Sequence, residues 1–492
     1  MAVLTVWHEG GCTRHEFQGT PLLGQVLEAA GLALAHPCGG RGVCGKCAVR
    51  LEGAVSAPND AERKAGTRLS CQAVLLGDAA VWLPEHRSME QIETDGTAAL
   101  SSSAPMDGRL GAAVDIGTTT LALKLCDLKT GQVLSSAARL NPQTSVAADV
   151  MGRIGAAMDG KLESLQSQVL DAIQDLLDQA CAQAEKPADL VAVLVITGNT
   201  TMLYLLTGRD PEPLSHAPFQ ADCLYGLETE LLRRRAYLPA CMNAFVGADI
   251  TCAVLASGMT ERSETSLLCD IGTNGEIALW KDGVLYVTST AAGPAFEGAG
   301  ISCGCGSIRG AIDRVWVENG GIQVHTIGHA PAVGLCGSGL IDAIAAHLAL
   351  EQIDETGAVD EDSLPLSNGV ALLPRDVRAV QLAKAAIAAG IQTLLDSAGT
   401  HIRDVATLYI AGGFGSHLDV NSAAAIGLIP AELKDRVRVI GNGALSGALT
   451  LLLDRNQLRK TQSLADASRH VNLGGNPKFN ANYMEQMMFP EG

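Results

Sequence analysis

The feature that most constrains this chain is a run of thiols and glycines, Cys38-Gly-Gly-Arg-Gly-Val-Cys44-Gly-Lys-Cys47, followed at a distance by Cys71. Three cysteines in one loop plus one remote cysteine is the ligand arrangement of a [2Fe–2S] cluster, C-x4-C-x2-C and a distant Cys, here with the first gap one residue longer. Such ligands must be thiolates held without strain, and backbone N–H groups aimed at the sulfurs stabilise the charge of the cluster. Gly39, Gly40, Gly42 and Gly45 let the backbone turn that closely. Structural zinc is the competing use of four cysteines, but zinc ribbons and fingers present two short pairs rather than three plus one. Cys38, Cys44, Cys47 and Cys71 are therefore expected to hold a [2Fe–2S] cluster, and electron transfer is the first functional expectation.

The relaxed spacing resembles that of adrenodoxin-like ferredoxins, and the flanks agree with a small β-grasp module. Val3, Thr5 and Trp7 alternate with Leu4 and Val6 as in a strand. Pro21 opens a helix with Leu22, Leu23, Val26, Leu27 and Ala30 on one stripe. Residues 48–51 and 81–83 read as strands, and 69–71 deliver the fourth ligand. Residues 86–109 are polar, small and aperiodic, which predicts a linker. From Leu110 onward β-rich runs alternate with helices: a helix through Leu162, Leu165, Val169, Ile173 and Leu177, a buried strand at 190–197, a long Ala-rich helix at 377–395, and a strand at 406–410 ending in glycines. That is an α/β pattern.

A chain of 492 residues is too long for one ordinary core. Its net charge of −18 argues against a nucleic-acid surface and against anionic membranes, both of which need clustered Lys and Arg. The start lacks the basic and apolar regions of a secretory signal, and no apolar run reaches the roughly 18 residues of a membrane span. Fourteen cysteines without an export signal fit a reducing cytoplasm. The ten outside the cluster read mainly as small buried side chains.

A second constellation is repeated about 155 positions apart: Asp115-Ile-Gly117-Thr118-Thr119-Thr120 and Asp270-Ile-Gly272-Thr273-Asn274-Gly275-Glu276, each after an apolar run. A strand ending in Asp-x-Gly-Thr makes a tight turn whose N–H and hydroxyl groups can hold phosphate, while the Asp organises Mg²⁺, usually through its waters. Two such turns facing one another would clamp a triphosphate. Asp115 and Asp270 are the candidate catalytic groups. Glu276 is either a base or water-positioner, or a solvated turn carboxylate. In the third element, Leu408-Tyr-Ile410-Ala-Gly412-Gly413-Phe414-Gly415, a strand runs into glycines that let a nucleobase and ribose lie against backbone. Gly337-Ser338-Gly339 is either a further nucleotide contact or a simple helix start. Cys303-x-Cys305 and Cys336 form a possible second redox site, with a structural role favoured because no C-x2-C spacing supports ligation.

The order of these elements resembles the superfamily of acetate and sugar kinases, Hsp70 and actin, over residues about 110–460. Thr197-Gly198-Asn199-Thr200-Thr201-Met202 and Gly441-Asn442-Gly443-Ala444 look like its connecting segments. The resemblance implies two RNase-H-like subdomains closing over ATP with Mg²⁺, through Gly117, Thr118, Thr119, Thr120, Gly272, Thr273, Asn274, Gly275, Gly337, Ser338, Gly412, Gly413 and Phe414. Fusion to a ferredoxin module, together with Gly293-Pro294-Ala295-Phe296-Glu297-Gly298-Ala299, Ile301-Ser302-Cys303-Gly304, Leu335-Cys336-Gly337-Ser338-Gly339, Asn476-Pro477-Lys-Phe479 and Met488-Phe489-Pro490, resembles the family of reductive activators of corrinoid proteins over nearly the whole chain. That resemblance implies a cytoplasmic ATPase that reduces the Co(II) corrinoid of a methyltransferase's corrinoid protein to Co(I). Its implied partners are a low-potential electron donor and a second copy of itself. Plant-type clusters lie at about −400 mV, and making Co(I) is more demanding still on the family's chemistry, so electron transfer alone would run uphill and ATP binding and hydrolysis can bias it.

The expected organisation is a multidomain α/β chain: a β-grasp [2Fe–2S] ferredoxin-like domain at 1–85, a linker at 86–109, and a duplicated RNase-H-like ATPase at 110–265 and 266–492. The competing classes are an ATPase resembling the activators of acyl-CoA dehydratases, a metabolite kinase with a redox-sensing appendage, and a chaperone or actin-like binding module.

Overall fold

The computed structural model describes residues 1–8, 11–30, 32, 34, 40, 42, 47–83, 104–413 and 417–490. The chain divides into two compact units, Met1–Ser88 with Asn141–Val169, and Met89–Leu140 with Leu170–Gly492. Cys38, Cys44 and Phe414 lie outside the described residues, as does the linker up to residue 103.

The first unit opens with β1 (Ala2–His8), β2 (Gly11–Phe17), β3 (Ala48–Val55), β4 (Arg68–Leu69) and β5 (Leu75–Trp82). They form one sheet in the order β2-β1-β5-β3-β4, with β1 and β5 parallel and the other pairs antiparallel. The period-two reading holds: Leu4 and Val6 are 0% exposed, whereas Trp7 is 45% exposed. The helix Leu23–Ala29 buries Leu23, Val26 and Leu27 against Leu69, Leu75 and Val81. Sequence periodicity did not isolate the second part of this unit. There Arg153 is fully buried, donating to the Ala147 carbonyl at 3.0 Å and to Gln143 Oε1 at 3.1 Å, and Gln143 Nε2 donates to the Leu165 carbonyl at 2.8 Å. A buried guanidinium of this kind survives only because its donors are met.

The second unit contains the same five-strand plan twice. β6 (Leu110–Ile116), β7 (Thr120–Asp127), β8 (Val133–Leu140), β9 (Val191–Gly198), β10 (Leu227–Leu231) and β11 (Arg234–Leu238) give the order β10-β11-β9-β6-β7-β8. β12 (Ser266–Ile271), β13 (Gly275–Lys281) and β14 (Val284–Thr290) begin the second copy. β15 (Ala311–Glu318), β16 (Gly321–Thr326) and β17 (Gly334–Leu335) form a small inserted sheet, and β18 (Leu364–Ser367) and β19 (Val370–Leu372) a hairpin. β20 (Thr407–Ala411), β21 (Val437–Gly441) and β22 (Arg469–His470) complete the order β21-β20-β12-β13-β14-β22. In each copy the first strand pairs antiparallel with the second and parallel with the fourth. This is the RNase-H-like duplication implied by the resemblance to the acetate and sugar kinase, Hsp70 and actin superfamily. Residues 104–109 pack onto it, Met106 N–H donating to the Leu452 carbonyl at 3.0 Å.

Two helices tie the copies together. Leu445, Ala448, Leu449 and Leu452 of the helix Gly443–Leu453, which comes after β21, pack with Ala113, Val193 and Val195 of the first sheet. Conversely, Ile250, Ala253 and Val254 of the helix Ala248–Ser257, which comes after β11, pack with Leu268, Ala278 and Tyr409 of the second. The helices meet backbone to backbone at Gly447, where a Cβ would stand 2.0 Å from the Cys252 carbonyl oxygen.

Candidate active site: a thiol pair and a phosphate site

Register brings the thiols of the first unit together. Ala48 of β3 pairs with Leu69 of β4, and Ser70 N–H donates to the Cys47 carbonyl at 2.9 Å, so Cys47 and Cys71 share one end of this ladder. Both are buried, and their sulfurs are 3.3 Å apart. That is well beyond the roughly 2.05 Å of a disulfide and suits two thiolates bound to one metal, each at about 2.3 Å. Gly40 and Gly42 have φ of +76° and +73°, the left-handed conformation that the loop was expected to need. Gln72 Nε2 bonds to Cys71 Sγ at 3.7 Å and also to the Gly40 carbonyl, and its Oε1 accepts from Asn59 Nδ2 at 2.9 Å. The side chain thus links loop, helix cap and ligand sulfur. Burial pushes the Glu62 carboxyl up, but the Leu69 and Asn59 N–H groups and Arg68 outweigh it and hold it below the usual carboxylate range. The described residues fit a [2Fe–2S] cluster.

In the second unit, Asp115 and Asp270 occupy equivalent places, each one residue before the end of the first strand of its sheet. In both turns the glycine after the strand bonds back across the turn, the second turn being one residue shorter. Gly117 N–H donates to the Thr120 carbonyl at 2.9 Å, and Gly272 N–H to the Asn274 carbonyl at 3.2 Å. Asn442 Nδ2 donates to Asp115 Oδ2 at 3.0 Å, and Asn199 Nδ2 to Thr118 Oγ1 at 3.3 Å. Each asparagine also caps a helix, accepting from Leu445 N–H at 2.7 Å and from Met202 N–H at 2.9 Å. Gly412 has φ +96°, and a Cβ there would lie 2.6 Å from Asp270 Oδ1. The glycine thus admits that carboxylate against the chain. Glu276 is buried directly across the ladder from Asp270. Asp249 lies in the first turn of the helix Ala248–Ser257, and Glu297 accepts from Thr119 Oγ1 and Thr273 Oγ1, each at 2.5 Å.

Burial and mutual repulsion define the electrostatics. Burial pushes Asp115 up to about 6 against the Asn442 hydrogen bond. Asp270 rises to about 7 through burial, then the charges of Asp115 and Glu297. Asp249 rises to about 8 through burial, then Asp270 and Asp115, and the same causes, with Asp249 and Asp270 as the charges, raise Glu276 well above its ordinary value. Such a cluster repels a polyphosphate unless a cation intervenes. Among the described residues no group of three or more His, Cys, Asp or Glu side chains is placed to hold a metal ion.

Asp115, Gly117, Thr118, Thr119, Asp270, Gly272, Thr273, Asn274, Gly275, Glu276 and Gly412 are gathered by the two hairpins and β20, with Thr120 opening β7 and Gly413 exposed beyond β20. Gly337 and Ser338 start the helix Gly337–Ala349, where the Ser338 hydroxyl donates to the Asp313 carbonyl at 2.9 Å. Sequence reasoning missed Asp249 and the role of Glu297. It treated Asn199 and Asn442 only as parts of connecting segments, although Gly-Asn after a buried strand and before a helix is a legible cap signal. Cys126, Cys181, Cys241, Cys252, Cys269 and Cys336 are buried as expected, and burial raises each thiol.

Three family models match the chain in order: a 2Fe-2S iron-sulfur cluster binding domain over residues 9–76, the RACo middle region over 110–262, and the C-terminal domain of RACo, the ASKHA domain, over 264–492. The corrinoid activation enzyme RamQ of Eubacterium limosum is 34% identical over 418 residues, 77% of this chain and 70% of that protein. This chain belongs to the RACo family. The Co(II) methylated amine-specific corrinoid protein reductase of Methanosarcina barkeri is 25% identical over 421 residues, 77% of each chain. A solved structure named reductive activator for corrinoid,iron-sulfur protein matches with a TM-score of 0.73 at 25% identity, covering 99% of this chain and 98% of that one. The RACo family frame supports the expected fold class, and with it a 2Fe-2S domain joined to an ASKHA nucleotide-binding domain.

Proposed function

We propose that this RACo family chain is an ATP-dependent reductive activator, an enzyme that converts the Co(II) corrinoid of a methyltransferase's corrinoid protein to Co(I). One observation carries the reading. A thiol pair spaced for a shared metal and a duplicated Asp-x-Gly-Thr site with buried carboxylates occur in one chain whose relatives are named for corrinoid activation and reduction. In this reading Cys38, Cys44, Cys47 and Cys71 hold the cluster, which when bound supplies one-electron transfer at low potential. Gln72 donates to a ligand sulfur, which stabilises the more negative state.

Asp115 and Asp270 orient Mg²⁺ and the attacking water. Gly117, Thr118, Thr119, Thr120, Gly272, Thr273, Asn274 and Gly275 receive the phosphates, Glu276 positions water, and Gly412, Gly413 and Phe414 border the adenosine. Gly337 and Ser338 complete the nucleotide site from the inserted segment. Nucleotide binding draws the two copies of the sheet together about the helices Ala248–Ser257 and Gly443–Leu453, and the difference in affinity between open and closed states sets how far the equilibrium moves. A complete switch from 1:99 to 99:1 takes about 5.5 kcal/mol. The domains run 1–85, 110–265 and 266–492, with 86–109 as the linker. The protein works in the cytoplasm as a homodimer, fed by a low-potential donor. No described helix is long and apolar enough to cross a membrane.

The two halves of this reading separate by substitution. Cys47→Ser should retain binding of a non-hydrolysable ATP analogue and lose corrinoid reduction, whereas Asp270→Asn should keep the cluster absorbance and lose ATP-dependent turnover. Corrinoid reduction at the wild-type rate by either variant contradicts the assignment.

A further inference from the structure

Glu297 ends the short turn Pro294–Glu297, 178 positions from Thr119 and 24 from Thr273, yet it accepts a hydrogen bond from each hydroxyl. These two threonines belong to the two turns that repeat the Asp-x-Gly-Thr motif, one in each copy of the sheet. A carboxylate that spans both turns offers what a terminal phosphate would offer there: negative charge and two acceptor oxygens. A threonine hydroxyl has one proton to donate. Glu297 and a phosphate therefore compete for the same two donors. The carboxylate also lies against the second turn, where a Cβ on Gly272 would come 3.7 Å from Glu297 Oε1.

The segment immediately C-terminal to Glu297 is packed backbone on backbone. Gly298 has φ +75°, and a Cβ on it would lie 2.5 Å from the Cys305 carbonyl oxygen. Cys305 N–H donates to the Leu335 carbonyl at 2.9 Å, and Leu335 N–H to the Cys303 carbonyl at 2.8 Å. A displacement that carries the Glu297 backbone with it is passed to residues 298–305, because Gly298 and Gly304 leave no side-chain slack between the strands of that loop.

We propose that Glu297 is an internal stand-in for the terminal phosphate: it clasps the two phosphate turns in the nucleotide-free chain, and a nucleoside triphosphate displaces it and shifts the 298–305 loop. The inference rests on the reading that this site binds ATP. It goes beyond that reading by naming the group that distinguishes a triphosphate from a diphosphate. ADP lacks the phosphate that competes with Glu297, so the clasp stays closed with ADP bound.

The test is calorimetric titration of the full chain with Mg²⁺ and either the non-hydrolysable analogue AMPPNP or ADP, for the wild type, Glu297→Gln and Glu297→Asp. The amide keeps the length but loses the charge and one acceptor oxygen. The aspartate keeps the charge but is too short to reach both hydroxyls. Hydrogen bonds to a charged acceptor are among the stronger ones, so both variants should bind AMPPNP about tenfold more tightly or better while ADP affinity stays within about twofold. Hydrogen exchange gives the second readout. In the wild type, AMPPNP but not ADP should accelerate exchange at the Gly304 and Cys305 amides, and both variants should exchange fast without nucleotide. Weaker AMPPNP binding by the variants, or equal shifts for AMPPNP and ADP, overturns the clasp, as does an unchanged exchange pattern. If Glu297→Gln fails to fold, Glu297→Asp and the wild-type exchange data decide. Failure of the wild type to bind either nucleotide overturns the ATP reading itself, and the clasp with it.

Discussion

Replacing Asp270 by Asn should stabilise the nucleotide-free protein while destroying its ATP-dependent activity. The carboxyl is driven to about 7 from an ordinary value of 3.8, first by burial and then by the charges of Asp115 and Glu297. A carboxyl that holds its proton more tightly when folded costs no stability below about pH 4. The cost grows as pH rises and levels off above the folded value. Three units at roughly 1.36 kcal/mol each set an upper bound of roughly 4 kcal/mol. Local relaxation and the polarisable surroundings of a partly accessible site reduce this to about 2 kcal/mol. For a unit of this size, that is a rise of about 2–4 °C in the unfolding midpoint. Thermal unfolding followed between pH 4 and pH 8 without Mg²⁺ or nucleotide checks it: the gap between variant and wild type should open between pH 4 and pH 7 and then stay flat. An Asp270→Asn variant that is no more stable than the wild type at pH 8, or whose advantage is independent of pH, refutes the argument that this site is a cluster of repelling carboxylates.

Single contacts set the remaining expectations. Gly412→Ala would place a Cβ 2.6 Å from Asp270 Oδ1 at φ +96°, so ATP-analogue affinity should fall at least about tenfold, read by calorimetry. Asn442→Ala removes both a helix cap and the donor that lowers the Asp115 carboxyl; it should cost about 1 kcal/mol of stability and shift the pH dependence of Mg²⁺–nucleotide binding upward. Gln72→Leu deletes the N–H donor to Cys71 Sγ, and spectroelectrochemistry should find the cluster potential more negative while its absorption spectrum persists.

Much of this protein was legible because its chemistry is local in sequence. The thiol spacing, the two Asp-x-Gly-Thr turns and the glycines after β20 each occupy a few consecutive residues, and strand alternation around Leu4 and Val6 comes from a period of two. Glu297 and Asp249 were not legible, because their meaning depends on contacts made across long stretches of chain: Glu297 meets Thr119 from 178 positions away. The exchange of helices between the sheets was hidden for the same reason. Gly447 in a helical pattern reads as a weak helix position until its neighbour, the Cys252 carbonyl, is known. The buried Arg153 also defeated pattern reading, since its burial depends on the Ala147 carbonyl and Gln143, which polarity alone does not predict.

The central claim is that one chain couples ATP to delivery of an electron to cobalt. Its most direct test is an anaerobic mixture of cluster-reconstituted wild-type protein, a low-potential reductant and a candidate corrinoid protein in the Co(II) state, monitored at the Co(I) absorption band. Co(I) should accumulate with Mg²⁺ and ATP and stay near background when ATP is omitted. Equal accumulation with and without ATP, or no Co(I) under either condition, would contradict the account.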